Sequence, residues 1–172
     1  VYTFAIDHLG LSPCTPVPNL PVTIETANGV PWSPKEAGKV EQNGELHPLS
    51  WGLARSRNNY SAWIMKQAKQ PQAVANFIHN MGIHSYIDPV PALCLGTSES
   101  NVYEMVSAFS TFANEGVYTT PIFVTRIEDR QGNLIASFAP RTQDAISEHT
   151  AYTMLTMLEG VIRSGTGGRL GW

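Results

Sequence analysis

Leu49-Ser50-Trp51-Gly52-Leu53-Ala54-Arg55-Ser56-Arg57-Asn58-Asn59-Tyr60-Ser61-Ala62-Trp63-Ile64-Met65-Lys66 carries two helical patterns that break in the middle. Leu49 and Leu53 share one face, and Pro48 is placed as the first residue of the first helix, where its missing N–H costs nothing. The apolar period stutters at Ser56 and resumes with Tyr60, Trp63, Ile64 and Ala68. The spacing therefore predicts that Ser56, Arg57 and Asn58 sit where two helices meet, with side chains turned away from the core. Ser and Asn suit such a junction because their side chains bond nearby backbone groups. A Ser-x-Asn triplet by itself carries little more than that.

Working outward, Pro71 opens a further helix with Val74, Phe77, Ile78 and Met81 on one face and Gly82 as its stop. Val102, Met105, Val106, Phe109, Phe112 and Ala113 form a second stripe, with Ser100 placed to cap its start and Gly116 just past its end. Both stripes are expected to be core. The last helix is predicted from about Ser147, with Ala151, Met154, Leu155, Leu158 and Ile162 on one face, ending at Ser164-Gly-Thr-Gly-Gly168 in a flexible exit. Residues 1 to 9 are helical in pattern, and Gly10 ends them.

Residues 121–128 and 134–138 are rich in β-branched and apolar types, with turn chemistry at Asp129-Arg-Gln-Gly-Asn133 between them, which predicts a hairpin. From Ser12 to about Lys39 the chain is rich in Pro, Gly and Asn and is expected to be a long loop, with Val22–Glu25 as a short strand. These patterns give an expected fold class of α+β, mainly helical, in a chain long enough for one domain's core.

Composition excludes several classes of function. The chain has 172 residues, a net charge of -3 and eleven scattered Lys and Arg, so it lacks the basic patch that nucleic-acid binding requires. No run approaches the roughly 18 apolar residues of a spanning helix. Cys14 and Cys94 have neither metal spacing nor the density of a disulfide scaffold, and both are expected to be buried or partly buried thiols. His79 and His84 fall on different sides of a helix, and His8, His47 and His149 have no ligand set beside them, so no metal or cofactor is expected. The Gly-rich end follows a helix instead of opening one, which is the wrong dipole end for an anion.

Leu53-Ala-Arg-Ser-Arg-Asn58 resembles the second active-site motif, Ser-x-Asn, of the penicillin-binding proteins. The resemblance extends to Pro91-Ala-Leu-Cys-Leu-Gly-Thr-Ser-Glu99, to Glu104-Met105 and Ser110-Thr-Phe-Ala-Asn114, and to Thr150–Gly167. It is collinear over nearly the whole chain and is strongest to the bifunctional, class A type. The family uses three motifs, Ser-x-x-Lys, Ser-x-Asn and Lys-Thr-Gly. The first and third do not occur here in a position that fits, and Ser33-Pro34-Lys35 has the wrong spacing. Val1–Leu9 lacks a cap before it and the chain stops on Gly171-Trp172. The chain is therefore expected to be the central part of a longer transpeptidase domain, with a partial penicillin-binding/β-lactamase-like fold: the helical lobe plus a β-hairpin.

What the resemblance implies is a serine-type D,D-transpeptidase that cross-links peptidoglycan stem peptides through an acyl-enzyme and is acylated by β-lactams. Ser56 would relay a proton to the departing amine, and Asn58 would hold the substrate amide beside the nucleophile. The same resemblance implies an upstream glycosyltransferase domain, a membrane anchor and a place on the periplasmic face of the bacterial inner membrane. The 172 residues alone are expected to be inactive, and to self-associate through helix faces that would otherwise pack on missing strands. A non-catalytic binding or scaffold module of the same fold, and a penicillin-recognising hydrolase or sensor, are the alternatives.

Overall fold

The computed structural model describes residues 1–26, 28–38 and 41–170. Gly171 and Trp172, and Lys39 at the end of the Pro-rich stretch, lie outside the described residues. In chain order the elements are α1 (Tyr2–Leu9), β1 (Pro16–Pro18), β2 (Leu46–Pro48), α2 (Leu49–Ala54), α3 (Asn58–Ala68) and α4 (Pro71–Asn80). A 3-10 turn (Pro91–Leu95) follows, then α5 (Val102–Ala113), β3 (Val117–Thr119), β4 (Arg126–Glu128), β5 (Leu134–Ser137), β6 (Thr142–Asp144), α6 (Glu148–Ser164) and a last 3-10 turn (Gly168–Leu170). Among the described residues the chain is mainly helical, with three separate two-stranded antiparallel ribbons, β1-β2, β3-β6 and β4-β5.

Helix α3 runs through the centre. Its Tyr60, Ile64 and Met65 are fully buried against Ala5 of α1, Val17 of β1, Leu49 of α2, Val74 of α4 and Leu93 of the 3-10 turn. Such close packing makes each of these side chains sensitive to a change of a single methylene. Helix α1 ends where expected: Gly10 adopts φ 65°, and its N–H donates to Ala5 O. The α4 stripe is also core as predicted, with Val74, Phe77 and Met81 buried and Ile78 packed against them.

Several expectations change. Pro48 is not the first helical residue but the extended residue before it, with ψ 151°, because it pairs with Pro16 in β1-β2. The prolines of this ribbon lie on its edges, where no ladder N–H is needed. Val22–Glu25 is not a strand. Only Ile24 pairs, exchanging two backbone hydrogen bonds of 2.8 Å with Trp32. Pro34, which would face Val22 in the next hydrogen-bonded pair, has no N–H to extend the bridge. Cys14 is exposed, while Cys94 is buried; both are free thiols. On α6 the buried set is Thr150, Ala151, Met154 and Met157, and Leu155 turns outward.

The hairpin forms as predicted, shortened at its first strand to Arg126–Glu128, with Arg126 opposite Ser137 and a register shift after Ile127. Asp129 shapes its loop, accepting hydrogen bonds from Asn133 Nδ2 and N at 2.8 Å and from Gln131 N at 2.9 Å. Those donors, Asn133 first, hold the Asp129 carboxyl below the ordinary carboxylate range. Strand pairing β3-β6 brackets the hairpin, with Val117 opposite Asp144, a long-range ribbon without a local sequence signal.

The largest correction concerns α5. Most of its apolar stripe is not core: Val102 is 79% exposed, Val106 57% and Phe109 51%, and Phe112 is the stripe residue that is buried, together with Glu104, Ser107, Ala108 and Thr111. Small residues let α5 approach α6 and β3 closely. The buried hydroxyls are satisfied within the helix, Ser107 Oγ donating to Tyr103 O at 2.8 Å and Thr111 Oγ1 to Ser107 O at 3.3 Å. The helix is capped by Asn101, not Ser100. Only Asn101 places a Glu three residues on, so that Asn101 Oδ1 accepts from Glu104 N at 2.9 Å and Glu104 Oε2 accepts from Asn101 N at 3.3 Å.

Glu104 also joins α5 to the segment after α4. It accepts from Ser85 Oγ at 2.6 Å, Ser85 N at 2.7 Å and His84 N at 2.8 Å. The Ser85 hydroxyl, with those backbone donors, holds the carboxyl down at about 2, against an ordinary value of 4.5. A depressed carboxylate contributes stability that is present above the unfolded value and is lost as pH falls through the folded one. Glu104→Gln is therefore expected to lower the thermal midpoint at pH 7. The gap to the unsubstituted chain should narrow from pH 4.5 downward and close near pH 2, in melts followed by circular dichroism. A gap independent of pH would remove the carboxylate from the account.

Candidate active site

The corner predicted from the sequence is present. Helix α2 ends at Ala54 and α3 begins at Asn58. Arg57 N donates to Gly52 O at 2.9 Å and Ser56 N to Leu53 O at 3.0 Å, which closes the turn. Two local features make it tight. Gly52 allows the α3 ring of Tyr60 against the α2 backbone, since a Cβ there would lie 2.2 Å from Tyr60 Cδ1. Ser56 takes φ 54°, a left-handed conformation that costs a non-glycine residue about 1–2 kcal/mol. Strain of this kind persists where surrounding structure enforces it, and it concentrates at functional sites.

Ser56 is exposed and points away from the core as expected. Asn58 is half-buried and less free than expected: its Nδ2 donates to Lys35 O at 2.7 Å. Arg57 lies over the Trp51 ring, 5.1 Å from its centroid, and Trp51 in turn stacks on His47 at 4.1 Å.

The start of α3 has no local cap, because Arg57 occupies that position. Glu36 supplies one from the Pro-rich loop, its Oε1 accepting from Asn59 N at 2.9 Å and its Oε2 from Asn58 N at 3.3 Å. A carboxylate at this end of a helix also faces the positive pole of its dipole. Lys35 and Glu36 were missed in the sequence. The one signal for them is indirect: a helix opening on Arg57 needs an acceptor from elsewhere. The exit of α6 also reaches the corner. Thr166 N donates to Ala54 O at 3.0 Å and Gly167 N to Val161 O at 3.0 Å, so the Gly-rich stretch is a built turn and not a flexible exit.

Beneath Ser56 and Asn58 lies a pocket of about 180 Å³, lined also by Tyr2, Ser61 and Cys94. A groove of about 1000 Å³ runs elsewhere, past Trp32, Met65 and Lys66, and a polar cleft of about 780 Å³ lies between Ser85 and Asn101; the smaller pocket is the one that Ser56 and Asn58 line. Burial pushes the Cys94 thiol up to about 11 and carries the Tyr2 phenol above its usual range, so both stay protonated at neutral pH. Among the described residues no three His, Cys, Asp or Glu side chains group as a metal site.

The corner thus presents an exposed Ser and a tethered Asn over a pocket lined by hydroxyl, thiol and guanidinium side chains. Comparison with known proteins shows what the chain is similar to. Residues 92–171 match the penicillin binding protein transpeptidase domain. The chain is 29% identical over 174 positions to penicillin-binding protein 1A of Neisseria meningitidis, an alignment covering 96% of this chain and 21% of that protein. It is 27% identical over 152 positions to penicillin-binding protein 1B of Haemophilus influenzae, covering 88% and 19%. The crystal structure of penicillin-binding protein 1A from Haemophilus influenzae superposes with a TM-score of 0.82 at 20% identity, over 96% of this chain and 29% of that one. The D,D-transpeptidase domain of a peptidoglycan glycosyltransferase from Eggerthella lenta gives 0.73 at 20% identity, over 96% and 47%. Over residues 92–171 the chain is similar to the penicillin binding protein transpeptidase domain, along most of its length it is similar to penicillin-binding proteins 1A and 1B, and it spans about a fifth of the length of the curated relatives it matches.

Proposed function

We propose that residues 1–172 form the central part of a single transpeptidase domain, in a protein that cross-links peptidoglycan stem peptides as a serine-type acyltransferase and is acylated by β-lactams. The observation that carries this reading is the corner itself, with Ser56 exposed in a left-handed conformation and Asn58 fixed beside it. Ser56 relays a proton between the nucleophile's network and the departing amine. Asn58 holds the substrate amide, with its Nδ2 bond to Lys35 O fixing the side chain in place. A serine hydroxyl needs such a network because it is a weak nucleophile by itself. Acylation of the full-length protein by a fluorescent penicillin, with and without Ser56 and Asn58, tests the assignment.

The same reading gives the full-length protein a glycosyltransferase domain, a membrane anchor and a position on the periplasmic face of the inner membrane. Among the described residues no helix is long and apolar enough to cross a membrane. The exposed stripe of α5, with Phe123, Ile135 and Phe138 of the hairpin region also exposed, supports association of the 172-residue chain with itself. Sedimentation at rising concentration is expected to show dimers or larger species, and a monomer throughout would remove that part of the proposal.

A further inference from the structure

Two hydroxyls beside the corner have no role in the reading above, on which this inference rests. Ser61 lies one turn along α3 from Asn58, on the same helix face, and lines the same pocket as Ser56 and Asn58. Behind it stands Tyr2 of α1. Tyr2 is 7% exposed, and its hydroxyl makes no hydrogen bond among the described residues. Ser61 lies near enough to oppose the upward push that burial gives the phenol, but not at hydrogen-bonding geometry. A buried hydroxyl without a partner is costly, and native proteins retain few of them. Phe in place of Tyr2 would fill the same apolar site between α1 and α3 without that cost, so the phenol oxygen calls for a function. Ser61 lies close to it on the wall of the same pocket, and Ser61 opens onto the motif.

We propose that Ser61, backed by the phenol of Tyr2, is a further positioning residue of this site. Its hydroxyl enters the pocket and, through water held there, sets the direction in which the Ser56 hydroxyl points. The pocket, about 180 Å³, has room for more than one water, and the hydroxyls of Tyr2, Ser56 and Ser61 with the amide of Asn58 can anchor them. Tyr2 turns the Ser61 hydroxyl toward the pocket by offering it an alternative to its own helix backbone. Ser61 touches neither the nucleophile nor the substrate; it acts through Ser56.

The test is a double-mutant cycle in the full-length protein, read by acylation with a fluorescent penicillin. Ser61→Ala is expected to slow acylation about tenfold, less than the hundredfold that an ångström of misplacement can cost. Tyr2→Phe should slow it several-fold and displace the pH–rate profile in the same direction as Ser61→Ala. In a Ser56→Ala background neither should cost anything further, because the group they orient is gone. Both substitutions suit their sites, Ala in a helix and Phe in an apolar cavity, so the fold is retained. Unchanged rates and profiles in both variants, with Ser56→Ala slow, would overturn the proposal while sparing the reading of the motif. Losses that add fully to that of Ser56→Ala would also overturn it. A normal rate in Ser56→Ala would remove the motif reading and this inference together.

Discussion

Ser56→Ala in the full-length protein is expected to slow acylation by a fluorescent penicillin by about a hundredfold or more, the usual effect of removing a positioned proton-transfer group. The thermal midpoint should hardly move. Ser56 is exposed, and its backbone bond to Leu53 O does not depend on the side chain. Ser56→Gly separates chemistry from strain. With φ at 54°, glycine relieves a conformation that costs serine about 1–2 kcal/mol, so this variant should be the more stable protein and equally slow. Asn58→Ala should also slow acylation about a hundredfold. It should in addition cost about 1 kcal/mol, because the bond to Lys35 O goes with the amide. Wild-type acylation in Ser56→Ala and Asn58→Ala would reduce the corner to a helix junction.

Gly165→Ala is expected to produce the largest loss of stability, about 3 kcal/mol, or a fall of roughly 6–12 °C in the melting temperature of the 172-residue chain. A Cβ at this position would lie 2.2 Å from Ala54 O and 2.7 Å from Val161 O. Both are backbone atoms, so no side chain can turn aside to make room. Relief requires the exit of α6 to move off the end of α2, which breaks the Thr166 N to Ala54 O bond. Ala54 lies two residues before Ser56, so acylation of the full-length protein should fall along with stability. Gly160→Ala on the same helix is the control. Nothing lies within 4 Å of its Cβ, and alanine favours the helix, so this change should be neutral or mildly stabilising. Equal melting temperatures for the two variants would show that the α2–α6 contact gives way without loss.

Much of the corner was legible because its determinants are local. The stutter between Leu53 and Tyr60 ends one helix and starts another, and Gly10, Pro71 and Gly82 punctuate their helices through backbone preferences that hold anywhere. The hairpin was legible for the same reason, Asp129 and Gly132 shaping its loop from within. The errors fall where a partner far along the chain decides. The stripe of α5 obeys helical periodicity as well as that of α4, but α4 finds a hydrophobic partner for its apolar face and α5 does not. Hydroxyls at Ser107 and Thr111 can be buried because they bond to their own helix, a satisfaction that hydropathy alone does not reveal.

The sequence by itself determined that a Ser-x-Asn triplet would stand between two helices, and its resemblance to a known family supplied the role proposed for that triplet. Those properties depend on neighbours within a turn or two. Tertiary structure alone decided what holds the triplet: Glu36 on the start of α3, Lys35 O on Asn58, the exit of α6 on Ala54, and Tyr2 and Ser61 behind the pocket. Each of these is a hydrogen bond or a packing contact across a long loop or between elements. Such contacts exist only once the helices have packed, and no local pattern records them.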